Sequence, residues 1–400
     1  MTTPERLRIT EYRGAAWFDG TRFTKRSLWV RGSRFIPNPG GLGHRVVELP
    51  GRYVVPPYGE GHNHWLEPDL ADAYIQEHLR EGIFYVKDQG TSPVFHERLR
   101  PLVNRTPSVD YVAAHQGLTG PAGHPMEIVD QLCAFGILPS EWSATHGEGA
   151  AVFAIASEAD LDRAWPRLLS GRPDFIKVFL IHSDEYAARR DDQTLSPKAR
   201  GIDPTLVPAV VKRARLANLK VSAHIENAHD FHVAVSAGVD EIAHMPFVDA
   251  ADLAAYRLAD DDLALPKVVA TTLDWARDAD ADDPRVHVQR ENLSRLRAAG
   301  WTIVIGTDRF RETARTEVDL LARLELMTNL ELLRAWSIDT PRSIFPERAI
   351  GLLEAGAEAS FLVLTGNPIE EIARSHAIVL RVKNGEVVEP GLARIPPLGI

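Results

Sequence analysis

Six residues scattered over this chain share one kind of chemistry: His62 and His64 in Gly59-Glu60-Gly61-His62-Asn63-His64, then Lys177, His224, His244 and Asp308. Imidazole nitrogen and carboxylate oxygen suit zinc and other first-row divalent ions. Two such ions can share a hydroxide, lower its pKa towards neutrality and polarise a scissile carbonyl. An ammonium cannot ligate a cation, but a buried lysine with a depressed pKa is nucleophilic towards carbon dioxide. A carbamate on Lys177 would then offer two oxygens to bridge two metals. Asp308 would bind one metal and take the proton of the attacking hydroxide as a general base. Each residue alone has a plainer role. A lone histidine at a strand end is more often a hydrogen-bonded structural residue, Lys177 can pair with a carboxylate, and Asp308 can cap a helix.

The surrounding pattern must bring the six together. On an extended backbone, residues i and i+2 face the same side, so His62 and His64, after the apolar run 53–57, can reach one point. From residue 53 onward apolar strands alternate with helical stretches. The strands are expected at 53–57, 83–87, 109–114, 175–181, 220–224, 241–244, 268–272 and 302–306. Helices are expected at 71–81, 161–169, 204–218, 230–237 and 284–299. Eight such alternations predict a (β/α)8 TIM barrel over 57–356, whose catalytic residues gather where strands end. The six residues stand at, or near, the ends of five of these strands. An extra strand-like run at 151–157 reads as an excursion before 175. Residues 117–149, rich in Gly, Pro and His, are too long for a plain connection and are expected to form a lid or pocket wall. The charge run in 184–203 reads as a solvated loop.

Both chain ends read as β structure. Short strand-like runs fill 7–56, helices are expected at 316–328 and 331–336, and β character returns from 359, with Asn384-Gly385 as a hairpin turn. Residues 1–56 and 357–400 are therefore expected to form one small β-sandwich domain beside the barrel.

Composition narrows the classes further. The 400 residues are 44% hydrophobic and 25% charged, as in an ordinary globular protein, and carry a net charge of −10, which argues against nucleic acid or anionic membrane as a general partner. No apolar run reaches the length of a membrane span. The polar stretch at 1–6 does not resemble a secretory signal. The single cysteine, Cys133, excludes an internal disulfide and a cysteine-based zinc cluster. A cytoplasmic location follows as the expectation; a homo-oligomer is neither required nor excluded.

On these residues the chain resembles the metal-dependent amidohydrolase superfamily over nearly its whole length. The superfamily's first-strand His-x-His matches His62 and His64, its fourth-strand lysine Lys177, its fifth- and sixth-strand histidines His224 and His244, and its eighth-strand Gly-Thr-Asp Gly306-Thr307-Asp308. The segment Gly238-Val239-Asp240-Glu241-Ile242-Ala243-His244 is similar to the imidazolonepropionase-like and prolidase-like branch, as is Val382-Lys383-Asn384-Gly385-Glu386-Val387-Val388. The resemblance implies two divalent ions, most simply zinc, and a carbamate on Lys177 formed from carbon dioxide. It also implies that His124, in Thr119-Gly120-Pro121-Ala122-Gly123-His124, contacts a substrate carbonyl. Departures are Glu60 where an aspartate is usual, Ile225-Glu226-Asn227-Ala228-His229 after His224, and Arg309 where a small residue is frequent. Arg309 either binds a substrate carboxylate bidentately or pairs with Asp308 or a loop acid. Tyr186 is a further substrate-side candidate.

The expected function is hydrolysis of an amide-type carbon–nitrogen bond in a small molecule, with an N-acyl amino acid or dipeptide favoured through Arg309 and Arg311. Cyclic amide or amidine hydrolysis, deamination, and lactone or phosphotriester hydrolysis use the same ligands. A non-catalytic scaffold would have lost those ligands, and all six are present.

Overall fold

Residues 53 to 64 are divided between two sheets, and this division sets the position of the paired histidines. Tyr53–Val55 does not open the run of parallel strands, as 53–57 was expected to do. It pairs antiparallel with Phe361–Leu364 and parallel with Ala16–Phe18. Pro56 and Pro57 have no N–H to continue a ladder. The chain restarts as Tyr58–Asn63, parallel to Ile83–Asp88, so His62 lies inside this strand and His64 just beyond it. The structure, a computed structural model, describes residues 8–145, 147–192, 194–265 and 267–397. The stretch at 1–6 read above lies outside them.

The parallel strands form two arcs. One is three-stranded, with Tyr58–Asn63, Ile83–Asp88 and Asp110–Ala113. The other is seven-stranded and runs Val152–Ala154, Gly117–Thr119, Phe175–Phe179, Lys220–His224, Glu241–Ile242, Val268–Ala270, Thr302–Val304. Helices such as Ala71–Arg80, Glu158–Ser170, Val207–Leu216, Ala228–Ala237 and Pro284–Ala298 link them, as parallel neighbours require. Burial on both faces explains apolar strand sequences such as Ile83-Phe84-Tyr85-Val86, all fully buried. Val152–Ala154 is a full ladder member beside Gly117–Thr119, not an excursion. Residues 117–149 hold that strand and the helices Met126–Ala134 and Glu141–Thr145.

Backbone hydrogen bonds join the two arcs at two places. Gly61 N–H donates to the Ile305 carbonyl at 2.7 Å, and the N–H groups of Thr307 and Asp308 donate to the His62 carbonyl at 3.1 and 2.9 Å. This approach needs glycine: a Cβ on Gly306 would stand 2.5 Å from His62 Cβ, and one on Gly61 2.9 Å from the Ile305 oxygen. At the second place, just before Phe175–Phe179, the third strand of the larger arc, Asp174 N–H donates to the Ala113 carbonyl at 2.9 Å, and the Asp174 carboxylate accepts from Ala113 N–H.

Strands from both chain ends build two further sheets, one of four strands and one of six, the latter including Ala16–Phe18, Tyr53–Val55, Phe361–Leu364 and Ile378–Lys383. They share a core of Tyr12, Trp17, Phe35, Val54 and Phe361, with the Tyr12 and Phe361 rings edge to face at 4.9 Å. Asn384 and Gly385 have φ of 52° and 77°, the two left-handed residues of the expected hairpin turn. Buried Lys383 ties this unit to the parallel strands through Asp110, at 2.6 Å, which also accepts from Arg348 at 2.8 Å.

Among the described residues no helix is long and apolar enough to cross a membrane.

Candidate metal centre

Where the first and last parallel strands touch, three side chains converge. The Nε2 atoms of His62 and His64 each lie 3.1 Å from Asp308 Oδ1. These are the donor atoms of a three-residue group able to hold a metal ion. Two ligands 2.0–2.1 Å from one tetrahedral zinc stand about 3.3 Å apart, so the spacing fits. The remaining ring nitrogens support it. Nδ1–H of His62 donates to the Ala243 carbonyl and that of His64 to the Gly90 carbonyl, both at 2.9 Å. Each ring is thereby fixed with Nε2 as its lone-pair atom, as metal-ligating histidines are.

His244 and His224 continue the cluster. Ring centroids are 4.5 Å apart for His62 and His244, and 4.3 Å for His224 and His244. Thr272 Oγ1 holds His244 Nδ1 at 2.8 Å, and Nδ1 is also 3.6 Å from Asp308 Oδ2. His224 Nε2 faces Glu226 at 3.4 Å. Lys177, buried, meets the amide oxygen of Gln89 at 3.4 Å and lies over the Phe179 ring.

Electrostatics divide these groups. Burial pushes His62 down, and pushes His244 well below the usual imidazole range with help from its histidine neighbours. It brings His224 down to about 4 against the opposing pull of Glu226. Burial also opposes charge on His64, but its hydrogen bond to Asp308 and the carboxylate's charge outweigh this and raise it. Burial would raise Asp308; the imidazoles of His62 and His64 hold it far below the usual carboxylate range instead. For Lys177 burial dominates, and the amine falls to about 7 despite Asp308 and Glu241. Three neutral imidazoles, an ionised carboxylate and a lysine freed of its proton near neutrality form a donor set suited to divalent metal.

The backbone at Asp308 is itself unusual. With φ of 53°, the residue is in the left-handed region, held there by the two bonds from Thr307 and Asp308 to His62. Behind it, Glu60 Oε1 accepts the N–H groups of Thr307 and His62 at 3.0 and 3.3 Å, and burial raises its carboxyl to about 8. Asp230 ties together the loops after two other strands. Its carboxylate accepts from the N–H groups of His182, Ser183 and Glu226, and it completes a capping box with Asn227.

The cluster forms one end of a cavity of about 180 Å³. His124 lines it, its ring 4.7 Å from that of His224 and its Nδ1 bonded to Glu127. Further lining comes from 117–149, as expected, and from Phe310, whose ring stands 6.3 Å from that of His64. Arg309 and Tyr186 are not among the cavity's lining residues. Arg309 pairs with Asp274 at 2.8 Å and with Glu312, beside a neighbouring cavity. Arg311 is held by Glu67. Tyr186 is half-buried on the short helix Tyr186–Arg189, near Asp203 and Arg190.

Sequence reasoning passed over the layer beneath the cluster. Lys87 and Glu241 form a buried ion pair at 2.6 Å, and Gln89 Nε2 donates to Glu241 at 2.8 Å while its oxygen meets Lys177. Lys87 carried a usable signal, a charge ending the apolar run Ile83-Phe84-Tyr85-Val86, the same signal that marks Lys177. Gln89 and Thr272 carried none.

The model of the amidohydrolase family matches residues 188–388, half of the chain, and the chain belongs to that family. It is thus a hydrolase acting on carbon–nitrogen bonds, from a family that generally binds metal ions. The match spans His224, His244 and Asp308. A search of curated proteins finds no match. Among solved structures, the chain is similar to a prolidase complexed with N-methylphosphonate-L-proline, at 19% identity and a TM-score of 0.70, covering 96% of this chain and 100% of that one. It is similar to a Xaa-Pro dipeptidase with bound methionine, at 17% identity and 0.72, covering 95% and 100%. Phenylurea hydrolase B is also similar, at 16% and 0.72, covering 98% and 99%. At these identities the likeness concerns the fold.

Proposed function

We propose that the chain hydrolyses an amide-type carbon–nitrogen bond of a small molecule, with His62, His64, Lys177, His224, His244 and Asp308 holding two divalent ions. Zinc suits the nitrogen-rich donor set, and a carbamate formed from carbon dioxide on Lys177 would supply the bridging oxygens that an amine lacks. Bound ions would supply Lewis acidity to the carbonyl and acidify the attacking water. The chain's own residues do the rest. Asp308 Oδ1 is shared by two imidazoles, which leaves Oδ2 to accept the water's proton and return it to the leaving nitrogen as the C–N bond breaks. His124, its Nδ1 held by Glu127, directs Nε2 at the carbonyl oxygen. Arg309 and Arg311 are engaged elsewhere, so the expectation of a carboxylate-bearing substrate loses the residues it rested on.

The two arcs of parallel strands, bonded to one another at two places, are best read as one (β/α)8 barrel over 57–356. Residues 1–56 with 357–400 are then the β-sandwich domain beside it. The boundary falls between the strands Tyr53–Val55 and Tyr58–Asn63.

The observation that carries the functional reading is the convergence of His62 and His64 Nε2 on Asp308 Oδ1 at 3.1 Å each. Its test is Asp308→Asn, assayed for bound zinc and for hydrolysis of a panel of simple amides. The expected loss in kcat is on the order of 10²–10⁴, the contribution of a positioned base, in a protein of unchanged circular dichroism. Full activity in that variant would sink the mechanism.

A further inference from the structure

We infer that the substrate carries a neutral apolar group, an aryl ring or a branched alkyl of similar size, received by the wall from Ile128 to Trp142 together with Phe310. This rests on the amide-hydrolysis reading and names the substrate class for that site.

The cavity has a polar end, the cluster of histidines, Lys177 and Asp308, and an apolar end lined by Leu66, Ile128, Leu132, Leu138, Trp142 and Phe310; the two meet where the Phe310 ring stands 6.3 Å from that of His64. These six belong to a small apolar cluster of their own, separate from the main core, with Ile128 and Leu132 on the helix Met126–Ala134 and Trp142 on Glu141–Thr145. The residues of this end are thus apolar on a surface that substrate would meet. Outside the cluster the polar lining groups are the His124 ring and the hydroxyls of Thr91 and Ser92.

No guanidinium or ammonium among the described lining residues serves this end. Lys177 belongs to the histidine cluster, and Arg309 and Arg311 are paired with acids outside the cavity. A substrate carboxylate placed here would lose water and find no counter-charge, an expensive burial. An apolar group gains instead. A dry apolar cavity of about 150 Å³ accommodates a benzene ring, and this one measures about 180 Å³ including the cluster end. A single ring or its alkyl equivalent is therefore the fitting size.

The test compares matched amides on the zinc-loaded full-length protein: acetanilide and N-methylbenzamide, their para-carboxylated counterparts, and acetamide. Burial of one ring is expected to favour each neutral aryl amide over its carboxylated counterpart and over acetamide by roughly tenfold to a hundredfold in kcat/KM. Ile128→Arg, or Phe310→Lys should the first fail to fold, is expected to shrink or reverse the neutral-to-carboxylated ratio at least tenfold. Equal or faster turnover of the carboxylated members by the unaltered protein would overturn the inference while leaving amide hydrolysis standing. Calorimetry with methanesulfonanilide and its para-carboxylated form separates the two claims. If no amide is cleaved but the neutral sulfonanilide binds at least tenfold tighter, the hydrolase reading fails and the apolar subsite stands. If neither binds and no amide is cleaved, both fall.

Discussion

Two buried lysines, Lys177 on a parallel strand and Lys383 at the end of Ile378–Lys383, have opposite surroundings. Lys383, beside the start of Asp110–Ala113, is enclosed by acceptors: the Asp110 carboxylate at 2.6 Å and the carbonyls of Ser108 and Arg105. Arg348 bridges the same carboxylate to Glu358, so charge is balanced over four side chains. Lys177 has only an amide oxygen, because the nearest carboxylate below it, Glu241, is occupied by Lys87. Burial lowers both amines, but only Lys383 has a carboxylate within hydrogen-bond reach. A buried lysine with a full set of acceptors is a fastener. One left without them, opening on a cavity, is a reagent.

The sharpest way to break this comparison is Lys177→Ala. We expect at least a hundredfold loss of amide hydrolysis and a fall in bound zinc, with the thermal midpoint little changed, measured by metal analysis alongside calorimetry; catalytic terms of this kind run from 10² upwards. Retained activity and metal would erase the distinction between the two lysines. The converse substitution, Lys383→Met, should cost roughly 3 kcal/mol of stability by stranding part of a buried ion network, read by urea unfolding, while kcat per folded molecule holds. A smaller effect concerns a third buried cation-former, His78. Its Nδ1–H donates to the Tyr74 carbonyl, and burial lowers the ring to about 4. The unfolded chain therefore takes up this proton more readily than the folded one. The stability concerned is present above about pH 6.5 and is lost as pH falls towards 4. His78→Phe should flatten the acid side of the stability profile by roughly 1–3 kcal/mol.

What could be read from the sequence follows the same division. The six ligand candidates were legible because metal chemistry admits few residue types and strand ends restrict where they fall. The first parallel strand was misplaced because Tyr58-Gly59-Glu60-Gly61-His62-Asn63 has little β propensity and two glycines. It is extended because tertiary contact overrides propensity; a Cβ on Gly59 would stand 2.7 Å from Thr340 Cγ2. Arg309 suggested a carboxylate because its nearer acid, Asp274 at 2.8 Å, stands 35 residues away and meets it only in the folded chain. Gln89 gave no signal at all. An amide in a strand loop has no charge pattern, although it is what joins Lys177 to Glu241.

The bonds from Thr307 and Asp308 to the His62 carbonyl have one more consequence. They close a loop of nearly the whole parallel-stranded region, and such long-range contacts form late because their entropy is met only after local structure is in place. A nascent chain that has not yet produced residue 308 holds His62 and His64 without the carboxylate they meet in the finished fold. Tight metal uptake through the three would then report that synthesis and folding of the region are complete.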